Sequence, residues 1–235
     1  MATKKKHFHH EKPGLGSEMR DVILGWQDGL VNVLGIVLAV AAASVSAKTI
    51  IIAGLAATFA ESISMAAVAY TSTKTARDFY LRERETEKKE IREIPDEERR
   101  EIRDIYFKKG FRGRQLKNIV KKLTSKKKLW LETMMSEELG LSKDGSRPVR
   151  SALIVGVAAL IGSLFPLIPF FLLSPASAIL PSLVLSVAVL FVLGSVKAKF
   201  TRGTWFKSGL EIAVIGLAAA LIGYGIGTLL GVTII

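Results

Sequence analysis

Apolar residues in this chain collect in five runs, at about 22–45, 49–71, 149–173, 178–196 and 208–234. Each run is close to the roughly 20 residues that an α-helix, rising 1.5 Å per residue, needs to cross the hydrocarbon of a bilayer. The polar residues are concentrated instead between the second and third runs. This pattern predicts an all-α protein: a five-span transmembrane helical bundle with a cytosolic helical domain inserted between spans 2 and 3. Four segments follow: a tail at 1–19, a transmembrane hairpin at 20–73, the inserted domain at 74–148, and spans three to five at 149–235.

Local signals refine the elements. "SVSAKT" turns the first two spans into a hairpin. No Gly or Pro interrupts residues 55–94, so span two is expected to continue as one long helix until Pro95. "PDEERREIRDIYFKKG" reads as the next helix, with Pro and acids in its first turn. Gly110 and Gly113 mark a turn, two short helices follow, and Gly140 stops the second of them. Pro148 opens span three, and Pro166 and Pro169 should kink or end it. Gly25 and Gly29, and likewise Gly223, Gly227 and Gly231, are spaced one turn apart, which lets helices approach closely in lipid. In span five this reads as bundle packing, and in span one as a dimer or pathway contact.

Charge sets the orientation. The chain of 235 residues is 49% hydrophobic yet carries a formal net charge of +12. Lys4, Lys5, Lys6, Lys12 and Arg20 precede span one, the 74–150 segment is densely basic, and Lys197, Lys199, Arg202 and Lys207 sit between spans four and five. With five spans these three segments share one side, and the other side shows only Lys48. The bias of Lys and Arg toward the cytoplasmic side puts the N-terminus and the inserted domain in the cytosol. The first run is too long for a cleaved signal peptide and is followed at once by a second span. The sequence contains no cysteine, which excludes disulfides, thiolate metal sites and thiol catalysis. Its three histidines (His7, His9, His10) are confined to a tail whose first reading is disorder and whose alternative is metal binding.

Against that background a few residues carry chemistry. An ionised carboxylate in hydrocarbon costs roughly 3 kcal/mol on insertion scales, so it normally faces protein or water. Asp21 lies near the interface, where capping the helix start would explain it. Asp28 lies a further roughly 10 Å in. Span two contributes Glu61 and Met65, and the antiparallel hairpin brings Met65 to the depth of Asp28. A hard oxygen and a soft thioether together suit a borderline divalent transition metal better than Mg²⁺ or Ca²⁺. In the insert, Glu87 and Glu90 share one helix face, as do Glu98 and Glu101. Met134, Met135 and Glu138 offer a third face, with the "MM" read as exposed. Salt bridging on a solvated surface is the competing explanation for these acids.

"WQDG", "SISMA", "PDEE", "WLETMMSEELGL", "PLIPF" and "KAKFTRG" occur here in an order and spacing that resembles the vacuolar iron transporter family, over roughly residues 20–235. The resemblance implies a homodimer of five-span protomers with the translocation path between them. It also implies a cytosolic domain that collects divalent metal, and export of Fe²⁺, often also Mn²⁺, in exchange for protons. By position Asp28 and Met65 match the family's transmembrane metal residues. Glu87, Glu90, Glu98, Glu101, Met134, Met135 and Glu138 match the ligands of its cytosolic domain. The chain departs from the pattern in span two. The family's usual acid position, two turns before the Met, is Ala57 here, and Glu61 stands one turn before it.

The expected protein is therefore a transporter and not an enzyme, with no prosthetic group and with Fe²⁺ and related ions as cargo. Its expected partners are a second copy through spans 1 and 2, the bilayer and its anionic headgroups, and no nucleic acid. The membrane would be the plasma membrane in a prokaryote and the vacuolar membrane in a eukaryote. A di-iron oxidase would need Glu-x-x-His motifs, and no histidine follows position 10. The alternative is a membrane-anchored metal-binding or anionic-lipid-binding protein without transport, suggested by the lysine clusters at 117–128.

Overall fold

A computed structural model describes residues 15–44, 46–141, 147–199, 201 and 203–234. His7, His9, His10, the four N-terminal lysines and Arg202 lie outside the described residues, and so do the surroundings of Gly231. Among the described residues the chain is helical: α1 (Leu15–Ala43), α2 (Ala47–Glu93), α3 (Pro95–Lys108), α4 (Gly113–Leu123), α5 (Lys127–Glu137), α6 (Pro148–Leu164), α7 (Ile168–Leu172), α8 (Pro175–Ala198) and α9 (Trp205–Ile234). Among the described residues, five helical stretches are long and apolar enough to cross a membrane: α1, α2, α6 together with α7, α8 and α9. The chain is a multi-pass membrane protein. It divides into two compact units, residues 1–71 with 147–235, and residues 72–146.

In the first unit α1 is the hub, packing on α6, α8 and α9. Small residues set the spacing. A Cβ added at Gly29 would lie 2.5 Å from the Ala159 carbonyl oxygen and 2.7 Å from the Ser163 hydroxyl, and one at Gly25 would strike the Val155 carbonyl. Gly162 of α6 meets the backbone of Trp26 in return. The close approach at Gly25 and Gly29 is therefore made within the protomer, against α6. The sequence predicts a dimer or pathway contact for these glycines; the contact they make here is backbone meeting backbone inside one chain. Gly223 and Gly227 of α9 sit in the same way against Gly35 and Ala39 of α1, as bundle packing requires.

The prolines act as their chemistry dictates. Pro166 ends α6 in a single 3₁₀ turn (Phe165–Leu167), and α7 restarts with Pro169 in its first turn. The carbonyl freed at Pro166 accepts a hydrogen bond from the Ser182 hydroxyl of α8 at 2.7 Å. Asp21 does not cap a helix start, because α1 begins at Leu15. It is buried, accepts a 2.6 Å hydrogen bond from the Ser151 hydroxyl of α6, and lies 3.5 Å from the Arg20 guanidinium. One turn away, Arg150 pairs with Glu18 at 2.9 Å. These contacts tie the starts of α1 and α6 together.

In the second unit α3, α4 and α5 pack with the polar part of α2. Ile91, Ile102, Trp130, Leu131, Met134 and Met135 form its core. Gly110, Gly113 and Gly140 adopt positive φ, the region glycine tolerates, where helices end or turn. An ion pair between Lys109 and Glu137 joins the ends of α3 and α5. Met134 and Met135 are buried, which corrects their reading as an exposed pair. An apolar cluster needs flexible fillers, and thioethers supply them.

The α1–α6 seam generates a direct test. Gly29→Leu should prevent the close approach and cost at least about 2 kcal/mol, by the usual penalty for overpacking against backbone. Loss of monodispersity or a lower melting temperature in detergent is expected, whereas Gly16→Leu, in open space, should leave both unchanged.

Candidate metal path and carboxylate cluster

Three faces of α1 are covered and one is not. Leu24, Asp28, Asn32 and Ile36, each one turn from the next, form its least covered stripe: Leu24, Asn32 and Ile36 are exposed and Asp28 is half-buried. Span two leans on this stripe. Asn32 Nδ2 donates to Glu61 Oε1 at 3.0 Å, and the Glu61 carboxyl also lies in hydrogen-bond contact with that of Asp28. Further along the hairpin, Gly54 packs against Val37 and Leu167. The antiparallel register that pairs 54 with 37 and 61 with 32 continues one turn to set Met65, also half-buried, level with Asp28. Ser62 donates to the Gly156 carbonyl at 2.7 Å, fixing the rotation of α2 that turns Glu61 toward α1.

The structure thus joins Asp28 to Glu61 and places Met65 beside them in register. Ala57, where the family's usual acid would stand, packs near the apolar cluster of Val33, Val37 and Ile50. The shift of the carboxyl by one turn moves it from that apolar layer to the level of Asn32, which has a hydrogen to donate. Asn32 was missed in the sequence. Its signal was there: a polar residue at i+4 from Asp28 in an otherwise apolar run continues a polar stripe along one helix face.

Of the expected ligand acids in the second unit, two are buried, Glu90 is half-buried, and Glu101 and Glu138 are exposed. Glu87 of α2 and Glu98 of α3 are only 5% and 2% exposed, and one carboxylate oxygen of each is buried without a hydrogen-bond partner among the described residues. Glu87 lies beyond the apolar part of α2, in the polar unit. Burial, then Glu138, Glu90, Glu101 and Glu83, push its carboxyl up to about 7. Burial, then Glu87, Glu101, Glu90 and Glu138, push Glu98 up to about 8. Glu138 is exposed as a whole residue, yet burial of its carboxyl raises it as well, followed by the charges of Glu101 and Glu90 and a hydrogen bond with Glu101. Five of the seven expected ligands therefore share one electrostatic environment.

Met134 and Met135 pack with Ile91 and Ile102, the chain neighbours of Glu90 and Glu101. Salt bridges do form in this unit, but on other acids: Asp96 with Arg99, Glu97 with Arg100, and Glu85 with Lys88. No three acidic or histidine side chains among the described residues converge into a ready-made ion cage. What the arrangement stores is uncompensated negative charge, which a proton or a divalent cation relieves.

Comparison with known proteins shows the family of this chain. The model of the VIT family matches residues 19–228. The chain is 35% identical over 228 residues to "Vacuolar iron transporter 1" of Oryza sativa subsp. japonica, covering 95% of this chain and 90% of that protein. It is 33% identical over 218 residues to "Vacuolar iron transporter 1" of Arabidopsis thaliana, covering 92% and 85%. It is 30% identical over 234 residues to "Vacuolar iron transporter" of Plasmodium falciparum, covering 94% and 86%.

The raised carboxyls make the stability of the second unit fall with rising pH. Between the ordinary value of 4.5 and the folded values of about 7 and 8, the folded unit binds more protons than the unfolded chain. It is therefore favoured at low pH and penalised as pH rises through that window. In chelator, the opening equilibrium read by amide exchange in α3 and α5 should increase by up to about tenfold per pH unit for each group. Glu98→Gln should flatten the upper part of that dependence, and Mn²⁺ at pH 8 should restore protection. A unit that grows more stable from pH 5 to pH 8 without metal would contradict this assignment.

Proposed function

The chain belongs to the VIT family, and from that premise we propose that it exports Fe²⁺, and also Mn²⁺, from the cytosol in exchange for protons. The single observation that carries this reading is the contact of Asp28 with Glu61 within two membrane spans, with Met65 in register beside it. Relatives named for vacuolar iron transport, in plants and in a parasite, share the length of the chain and support the same cargo.

Two carboxyl groups side by side repel one another unless a proton or a cation lies between them. A divalent ion arriving at Asp28 and Met65 displaces that proton, because two negative oxygens and a polarisable sulfur neutralise it better than one proton does. Protons entering from the far side restore the acid pair and release the metal. The one-turn shift of the acid from position 57 to Glu61 puts the proton acceptor and the metal ligand in contact, so exchange needs no separate relay. Asn32 holds the Glu61 carboxyl in that contact.

On this reading the second unit faces the cytosol, as the Lys and Arg bias requires. Its glutamate cluster captures metal at low concentration, with Met134 and Met135 at hand as soft ligands after a local repacking. A second copy covers the Leu24–Asp28–Asn32–Ile36 stripe. Polar groups on a span that faces lipid are costly, whereas the same groups at a two-fold interface line a shared path. Where the related proteins work, the exit side would be the vacuole.

Flux into proteoliposomes tests the proposal. Asp28→Asn is close to isosteric and removes charge from the bilayer, so the folded protein should persist while Fe²⁺ flux falls to background. Met65→Leu should lower flux and shift preference toward harder ions. Wild-type flux in a folded Asp28→Asn protein would sink the mechanism. The dimer is tested separately in this cysteine-free chain: Leu24→Cys and Ile36→Cys should crosslink between copies, and active protein that crosslinks at neither position rules out this interface.

A further inference from the structure

The second unit carries a groove that neither the metal path nor the glutamate cluster uses. Its volume is about 890 Å³, and α3 and α4 form its walls. The floor is apolar, made by Leu116, Val120 and the half-exposed ring of Phe107. The rim is basic: Arg99, Arg100 and Arg103 from α3, Lys117 and Lys121 from α4. No acidic side chain lines it. Arg99 pairs with Asp96 and stacks on Trp130, and Arg100 pairs with Glu97. Arg103, Lys117 and Lys121 are exposed and make no ion pair among the described residues.

A rim of this kind is poorly explained by folding alone. Three uncompensated cations, two of them one turn apart on α4 and the third on α3 across the groove, repel one another, and that cost falls when an anion sits between them. The occupant must also cover an apolar floor, which free phosphate does not. Charge and floor together describe an anionic amphiphile. In sequence this segment lies between two membrane-spanning helices (α2 and α6), so anionic lipid is an amphiphile that the bilayer supplies at high local concentration. We propose that the α3–α4 groove binds an anionic phospholipid, with Arg103, Lys117 and Lys121 on the phosphate and the glycerol and first acyl carbons over Phe107, Leu116 and Val120. A second copy of the chain is a weaker occupant, because it would bring a second basic rim toward the first.

The test uses the full-length protein in nanodiscs of phosphatidylcholine with increasing phosphatidylglycerol, read by amide exchange across residues 95–125. Phosphatidylglycerol should slow exchange in α3 and α4. The triple variant Arg103→Gln, Lys117→Gln, Lys121→Gln should raise the required phosphatidylglycerol by on the order of 100-fold, from about fivefold per charge at a membrane surface. These side chains are exposed, so the helices should remain. If the triple variant nevertheless loses its helical signal, Phe107→Ser, at a half-exposed ring, decides instead and should weaken protection several-fold at unchanged charge.

Protection that survives Phe107→Ser in full reflects diffuse attraction to a charged surface and overturns the groove. Equal protection by inorganic phosphate in pure phosphatidylcholine discs assigns the rim to free phosphate and overturns the lipid. Protection that is the same without phosphatidylglycerol, or that follows protein density per disc, overturns it in favour of a second copy. Metal flux enters none of these readouts, so failure here leaves the transport proposal standing.

Discussion

The membrane unit depends on how closely the first span can approach its neighbours. At Gly25 and Gly29 the backbone of α1 lies against that of α6, and at Gly35 it meets Gly223 of α9. Lipid tails are as apolar as leucine, so burial of apolar surface gives helices little reason to associate in a bilayer. Close packing of small residues supplies the attraction instead. The faces of α1 toward α6 and α9 are used in this way, Leu30, Leu34 and Leu38 pack toward α8, and the remaining stripe is left for the hairpin partner. Asp28 and Asn32 lie on that remaining stripe. The carboxylate is therefore placed by exclusion: the other faces of its helix are filled by packed neighbouring helices.

The same physics recurs in the polar unit with a different solvent around it. Glu87 and Glu98 are buried beside other glutamates without hydrogen bonds to one oxygen each. A purely structural design would have neutralised them, and the segment has arginines and lysines in excess to do so. These basic side chains are turned elsewhere, to the exposed acids Asp96, Glu97 and Glu85, or to the groove between α3 and α4. The net charge of +12 is thus not spread evenly. Negative charge is buried at Glu87 and Glu98, while positive charge faces solvent on the groove rim. Neither buried carboxyl contributes to stability as an anion, and both favour folding only when a proton or metal has joined them.

Elements with one dominant local signal were legible in the sequence. Five apolar runs of membrane length, the unbroken α2, Pro95 opening α3, the kink at Pro166 and the glycine turns at 110, 113 and 140 each follow from covalent geometry or from the length of a helix in hydrocarbon. These depend on a residue and its near neighbours, so no tertiary information is needed. The pairing of Glu87 with Glu90, and of Glu98 with Glu101, was equally local, being a matter of helical periodicity.

Direction across helices was not legible. Gly25 and Gly29 have the spacing of a close contact, but spacing cannot say whether the contact lies within the chain or with a second copy; packing on Val155 and Ala159 decided it. Met134 and Met135 looked exposed beside "SEE", yet α5 turns them into the core with Trp130. Asp21 looked like a cap until Ser151, 130 residues away, proved to be its partner. Asn32 gained a role only when span two delivered Glu61 to it. In each case the deciding partner is distant in sequence. Helical periodicity determines which residues share a face, and only the packed structure determines what that face meets.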